Sequence, residues 1–356
     1  MPTLQNYGNI GRFAAEAEQY PDWTLARVVA EHKGLYRVVT EAGECAAEVS
    51  GRFRYEAERP DQYPAVGDYC MASQEAPDDP VILHRVLPRK SVFTRTAVGV
   101  TGQIQVVAAN IDVVFLCMSL NQNFNLSRLE RYLSIAWDSG ATPVVLLTKA
   151  DLCDDLAARL AEVERVAGVT DVVVTSALDG AAADRVLAYI KPGTTASLIG
   201  SSGVGKSTLI NLLLGEEALA TATLGHLDKG RHTTTSREML LLPNGGIVID
   251  TPGMREIGVE NADLAKSFAD IEALARQCRF SDCTHTSEPG CAVRQAIAEG
   301  KLDERRLANF EKIKREAKYD GLDARKLESA KAEAMFKDVG GMKNVRKYIR
   351  ETNKRK

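Results

Sequence analysis

The segment GSSGVGKST, Gly200 to Thr208, carries the most specific chemistry in the chain. Gly200, Gly205, Lys206 and Ser207 satisfy GxxxxGK[ST], and the segment stands between a strand-like run, TASLIG, and an apolar helical run, STLINLLLGE. Phosphate binding needs that context, because glycines let backbone N–H groups close around phosphates and a helix start adds positive potential. Lys206 would reach the β and γ oxygens and Ser207 would bind Mg²⁺, while Ser201, Ser202, Gly203, Val204 and Thr208 complete the cradle. Farther on, IVIDTPG sets Asp250 at the end of an apolar strand, where a carboxylate can hold the water shell of Mg²⁺, and Gly253 can offer its N–H to a γ-phosphate. Between the two lies GRHTTTSRE, in which Thr234 or Thr235 would complete the magnesium sphere when a γ-phosphate is present.

A base-reading motif stands about fifty residues before the phosphate loop, on the unexpected side of it. In VVLLTKAD, Asp151 would accept the two N–H groups of a guanine edge and Lys149 would lie along the base. TSAL, around Ser176 and Ala177, would offer a backbone N–H to the guanine oxygen, and Thr148 stands where Asn is usual. The order is therefore base motifs, phosphate loop, then phosphate-sensing segments, reversed from that of a small GTPase. Both orders build the same sheet, because the ends of compact domains lie close together and tolerate rejoining; the turn KPG at 191–193 would be the joint. A P-loop ATPase or kinase is the rival favoured by Thr148, and a non-catalytic RNA-binding scaffold with structural GTP is another.

Cys278, Cys283, His285 and Cys291 spell CxxxxCxHxxxxxC, three thiolates and an imidazole, which is a closed tetrahedral set for one structural Zn²⁺. The other cysteines are scattered, and the clustering of these three favours a metal over disulfides in a reducing compartment.

The elements that must hold these groups follow from periodicity. At 356 residues the chain suits two or three domains. Between about Trp23 and Val86, short alternating runs (TLARVVAEH, LYRVVTE, ECAAEVS, GDYCMAS) predict a small all-β barrel or sandwich. Beyond it, apolar runs such as IDVVFLCMSL and TPVVLLTK alternate with helical patterns such as LSRLERYLSIAWD, which predicts a parallel sheet covered by helices. Net charge is −3, yet residues 301–356 hold 18 Lys and Arg against 10 Asp and Glu, so a net +8 tail follows a body of −11. With the basic stretch PRKSVFTR and the exposed-type residues Phe53, Arg54 and Tyr55, that tail suggests a polyanionic partner. No apolar run approaches the roughly 20 residues that span a bilayer, so no membrane partner and a cytoplasmic location are expected.

The order TKAD, TSA, GSSGVGKST, DTPG, flanked by a barrel and a Cys/His knot, resembles the ribosome small-subunit-dependent GTPase A family over nearly the whole chain. The resemblance implies a multidomain protein: an N-terminal all-β OB-type, RNA-binding barrel at 1–95, a central circularly permuted α/β P-loop GTPase domain at 96–262, and a C-terminal α-helical zinc-binding domain with a basic helical tail at 263–356. It further implies a GTP hydrolase that binds the small ribosomal subunit and its rRNA late in maturation, is stimulated by it, and leaves after hydrolysis; a monomer is expected. Met254 occupies the position where many GTPases carry a water-orienting glutamine. The resemblance implies that His232, in GRHTTT, takes the catalytic role instead.

Overall fold

A computed structural model describes residues 2–32, 34–76, 79–96, 104–176, 178–215, 237–250 and 268–319. Helix α1 (Gly11–Ala17) leads into strands β1 (Thr24–His32), β2 (Leu35–Thr40) and β3 (Gly43–Val49), then helix α2 (Gly51–Glu56) and strands β4 (Tyr69–Ser73) and β5 (Val81–Val86). These strands pair in the order β1-β2-β3-β5-β4, and β4 returns to β1, so the sheet closes into a five-stranded barrel. Closure leaves few free strand edges. Its interior is filled by every second residue: Ala26 and Val28, Tyr36 and Val38, Ala47 and Val49, Cys70 and Ala72, Val81 and Leu83. The alternate positions Val29, Val39, Tyr69 and Met71 point outward into a second core, where Phe13 stacks on Tyr69 at 3.9 Å between ring centroids.

A separate antiparallel hairpin, β6 (Val92–Thr96) and β7 (Ile104–Ala109), leads to the nucleotide-binding half. There the chain runs through β8 (Val113–Ser119), α3 (Leu126–Ser139), β9 (Thr142–Thr148), α4 (Leu156–Ala167), β10 (Val172–Val174), α5 (Ala182–Leu187), β11 (Thr195–Gly200), α6 (Lys206–Leu214), β12 (Arg237–Leu241) and β13 (Ile247–Asp250). Strands β10-β9-β8-β11-β13 are parallel in that order. β12 joins antiparallel at the edge and continues into β1, so barrel and nucleotide sheet share hydrogen bonds.

The pleat assigns alternate residues to opposite faces. Val114, Leu116 and Met118 of β8 pack in one core with Leu129 and Leu133 of α3 and Val163 of α4. Phe115 and Cys117 pack in the other with Val186 of α5 and Leu209, Ile210 and Leu213 of α6. Both faces are covered, which is why these strands read as unbroken apolar runs. Asn125 caps α3 by accepting from the Arg128 N–H at 2.9 Å, and Asp155 caps α4 through the Ala158 N–H at 3.0 Å.

The C-terminal described part comprises α7 (Ala269–Ala275), α8 (Ala292–Ala298) and α9 (Glu304–Tyr319). Arg306 fastens it to α3: it donates to Glu130 at 2.8 Å and to Asp270 at 2.8 Å, and its guanidinium lies 5.0 Å from the Phe268 ring centre. Asn309 adds a further bond to the buried Glu130.

Packing narrows two surface readings of the sequence. Within PRKSVFTR, Arg89 is committed inward, with a bidentate pair to the fully buried Asp68 at 2.9 and 2.8 Å and bonds to the Asp61 and Tyr63 carbonyls. Lys90 pairs with Asp112. Arg89 thus ties this stretch to the barrel, and Lys90 ties it to the start of β8. Of Phe53, Arg54 and Tyr55 on α2, Tyr55 is open at 91% exposure and Arg54 is exposed while paired with Glu48, whereas Phe53 is half-buried, edge-on against Tyr63.

Candidate functional site

The phosphate-type loop and the base-type motif meet because β8 lies between β9 and β11. Thr148, the last residue of β9, is level with Ser119 of β8, and Gly200, the last of β11, is level with Cys117. Both motifs therefore leave the carboxyl edge of the sheet, about 10 Å apart by strand spacing, at the crevice where open α/β sheets bind ligands.

The loop itself is shaped by close approach. A Cβ at Gly200 would lie 2.7 Å from the Cys117 carbonyl oxygen, and Gly205, with φ +104°, adopts a backbone that L side chains rarely take. Lys206 Nζ curls back to donate to the Gly200 carbonyl at 2.7 Å and the Ser201 carbonyl at 3.0 Å. Burial pushes the neighbouring Cys117 thiol up to about 12, with the Lys206 charge pulling the other way. Val204 is buried and pins the loop, while Ser202, Gly203 and Thr208 are exposed. Ser207 is the second residue of α6, and Asp250 ends β13 beside β11. A hydroxyl and a carboxylate at the same sheet edge suit Mg²⁺, which takes oxygen ligands and keeps several waters.

Two side chains tie the motifs together. The buried Thr148 hydroxyl donates to the Val204 carbonyl at 2.7 Å, and Lys149 Nζ donates to the Gly203 carbonyl at 2.7 Å. Lys149 has φ +58°, a left-handed backbone that turns the chain sharply as β9 ends. The Ser176 hydroxyl donates to Asp151 and fixes the carboxylate that would read a base. Thr148 thus has its hydroxyl on the loop backbone, so the change from the usual Asn leaves a donor in place. Ala177, His232, Thr234, Thr235, Gly253 and Met254 lie outside the described residues, as does the basic tail at 343–356.

A second cluster stands in the helical part. The donor atoms of Cys278, Cys283, His285 and Cys291 all lie within 4.8 Å of one another. Cys278 and Cys291 sulfurs are 3.9 Å apart, and His285 Nδ1 lies 3.7 and 3.5 Å from them. A tetrahedral ion with usual Zn–S and Zn–N bonds has edges of about 3.8 Å (S to S) and about 3.6 Å (S to N). Cys278, Cys291 and His285 are therefore already spaced to hold such a metal ion, with Cys283 within 4.8 Å of each of them.

The backbone supports that set. Burial raises the Cys278 thiol, but hydrogen bonds with the Val293 and Ala292 N–H groups at the start of α8 and with the Cys291 and Cys283 side chains together outweigh it, so the net shift is downward. Cys291 caps the same helix by accepting from the Arg294 N–H at 3.4 Å. Cys283 shifts up to about 11 through burial and through its hydrogen bonds with the Cys291 and Cys278 thiols. Glu288 is held down to about 2 by the Thr284 hydroxyl and N–H, and it also accepts from the Thr286 N–H, closing the intervening loop.

A doubly covered parallel sheet, a GK[ST] loop at its carboxyl edge and a base-type motif bonded to that loop define a P-loop nucleotide-binding protein in rearranged chain order. Residues 86–260 match the RsgA GTPase family model. The chain is 48% identical over 350 residues, covering 98% of itself and 99% of the relative, to the small ribosomal subunit biogenesis GTPase RsgA 2 of Lactiplantibacillus plantarum. It is 45% identical over 332 residues, 89% of this chain and 90% of the relative, to the small ribosomal subunit biogenesis GTPase RsgA of Opitutus terrae. Among solved structures, YjeQ from Thermotoga maritima superposes with a TM-score of 0.62 at 26% identity, covering 83% of this chain and 98% of that one. The chain belongs to the RsgA GTPase family and is a GTP hydrolase. Among the described residues no helix is long and apolar enough to cross a membrane.

Proposed function

We propose that the protein binds the small ribosomal subunit in its GTP state, assists a late step of that subunit's maturation, and leaves after subunit-stimulated hydrolysis. The observation that carries the reading is the pair of bonds from Thr148 and Lys149 to the loop carbonyls of Val204 and Gly203, which brings the two distant motifs together and so supports a single nucleotide site. The small ribosomal subunit named in its relatives RsgA and RsgA 2 supplies the partner. In this reading Asp151, with Lys149, Ser176 and Ala177, holds guanine, and Gly200 to Thr208 cradle the phosphates. Ser207, Asp250 and Thr234 or Thr235 hold Mg²⁺, Gly253 senses the γ-phosphate, and His232 assists water attack. Cys278, Cys283, His285 and Cys291 hold a structural Zn²⁺. The barrel and the tail at 343–356 supply rRNA contacts in the cytoplasm, with the chain acting as a monomer whose working units are 1–95, 96–262 and 263–356.

The test is phosphate release from GTP with purified small subunits, with large subunits, and with neither. Stimulation by small subunits alone is expected, and equal rates in all three would refute the reading. In the same assay His232→Ala should keep GTP affinity and lose the stimulation; unchanged stimulation would remove His232 from the mechanism.

A further inference from the structure

The junction between barrel and nucleotide sheet forms one lateral row of residues. Asp250 of β13 is directly opposite Glu238 of β12, Glu238 is opposite Ala30 of β1, and Ala30 is opposite Arg37 of β2. Residues in register on neighbouring antiparallel strands share a face, with Cβ atoms about 4.5–5.5 Å apart. Two carboxylates, Asp250 and Glu238, therefore stand side by side at the edge where the magnesium site is placed. The small side chain of Ala30 leaves room for Arg37 to reach across β1, and its guanidinium pairs with the Glu238 carboxylate and, through Nε at 3.4 Å, with Glu44 of β3. The next row is held by the mirror-image pair: Arg237, buried, donates to Glu31 of β1 at 3.3 Å and to the Val106 carbonyl at 3.3 Å. That pair fixes the register that puts Glu238 against Asp250.

We propose that Arg37 of the barrel is a positioning residue for the magnesium site, acting by neutralising Glu238 beside Asp250 and so setting the charge that Mg²⁺ meets there. The proposal rests on the magnesium role read for Asp250. Without Arg37, Glu238 keeps a full negative charge next to Asp250, and a divalent cation is drawn more strongly. Both side chains of the pair are roughly half-exposed, so the effect is screened by salt.

The experiment is a Mg²⁺ titration of fluorescent GTP-analogue binding to the full-length protein at low and high salt. Arg37→Gln should lower the half-saturating Mg²⁺ concentration roughly threefold at low salt, and less at high salt. Glu238→Gln combined with Arg37→Gln should return it to the wild-type value, because the carboxylate that Arg37 screens is gone. A loss of barrel stability alone would not produce that reversal. An unchanged Mg²⁺ midpoint in Arg37→Gln, or a double variant that keeps the shift, overturns the proposal. Asp250→Ala separates the underlying reading: if it leaves the wild-type Mg²⁺ dependence intact, the assignment of Asp250 is wrong and the proposal falls with it. If Asp250→Ala abolishes the dependence and Arg37→Gln does not move it, only the role of Arg37 is refuted.

Discussion

Thr148→Val isolates the bond that joins the base motif to the phosphate loop. Threonine and valine have nearly the same shape, so the substitution removes one hydroxyl and opens little space. The hydroxyl is buried and donates to the Val204 carbonyl at 2.7 Å, and Val204 is itself 1% exposed. Leaving that carbonyl without its partner costs roughly 1–3 kcal/mol. The loop can avoid the cost in the free protein by shifting Val204 toward water, and nucleotide binding must then pull it back. The whole cost would then appear in the affinity, a loss of about 5-fold to 150-fold for GTP. GDP should weaken by the same factor, because the strained part of the loop lies under phosphates common to both nucleotides. Titration with fluorescent GTP and GDP analogues measures each constant, and Thr148→Ser, which keeps the donor, should stay near wild type. Affinities within about twofold of wild type for Thr148→Val, in a folded protein, would refute the reasoning.

Two further outcomes follow from the C-terminal part. Glu130→Ala leaves the Arg306 guanidinium with Asp270 as its remaining carboxylate in a mostly buried site, so a loss of roughly 3 kcal/mol is expected, the lower end for a broken buried pair. Urea unfolding measures it, and an unchanged midpoint would count against the clasp between α3 and α9. At the metal cluster, Cys283, at about 11, is protonated at neutral pH before a metal binds. The ion must displace that proton, so apparent Zn²⁺ affinity should rise about tenfold per pH unit between pH 6 and 8 for each proton released. Competition with a chelator across that range tests this, and a flat profile would contradict it.

The base motif, the phosphate loop and the Cys/His set were legible because each acts through local geometry. GxxxxGK[ST] needs only a strand before it and a helix after it, and four ligands within fourteen positions can close on one ion. Strand and helix textures were legible too, since β8 and β11 are covered on both faces and the barrel strands on alternate residues. The charged residues were misread for the converse reason. Arg89 looks like a surface cation until Asp68 is found buried beneath it. Arg27, of which the strand pattern says nothing, is also buried, bonded to the carbonyls of Tyr7 and Gly67 and to the Thr195 hydroxyl, with its guanidinium 4.7 Å from the Tyr69 ring centre.

The amino-acid sequence by itself determined which chemical groups this protein carries and on which kinds of element they sit, because those depend on spacing within a turn, a loop or a strand. Strand order and register decided which groups meet: Thr148 with Val204 across β8, Arg306 with Glu130, and Arg37 with Glu238 at a separation of 201 positions. A charge has no fixed partner in an extended chain. Only packing, which excludes water and sets two distant strands side by side, selects one.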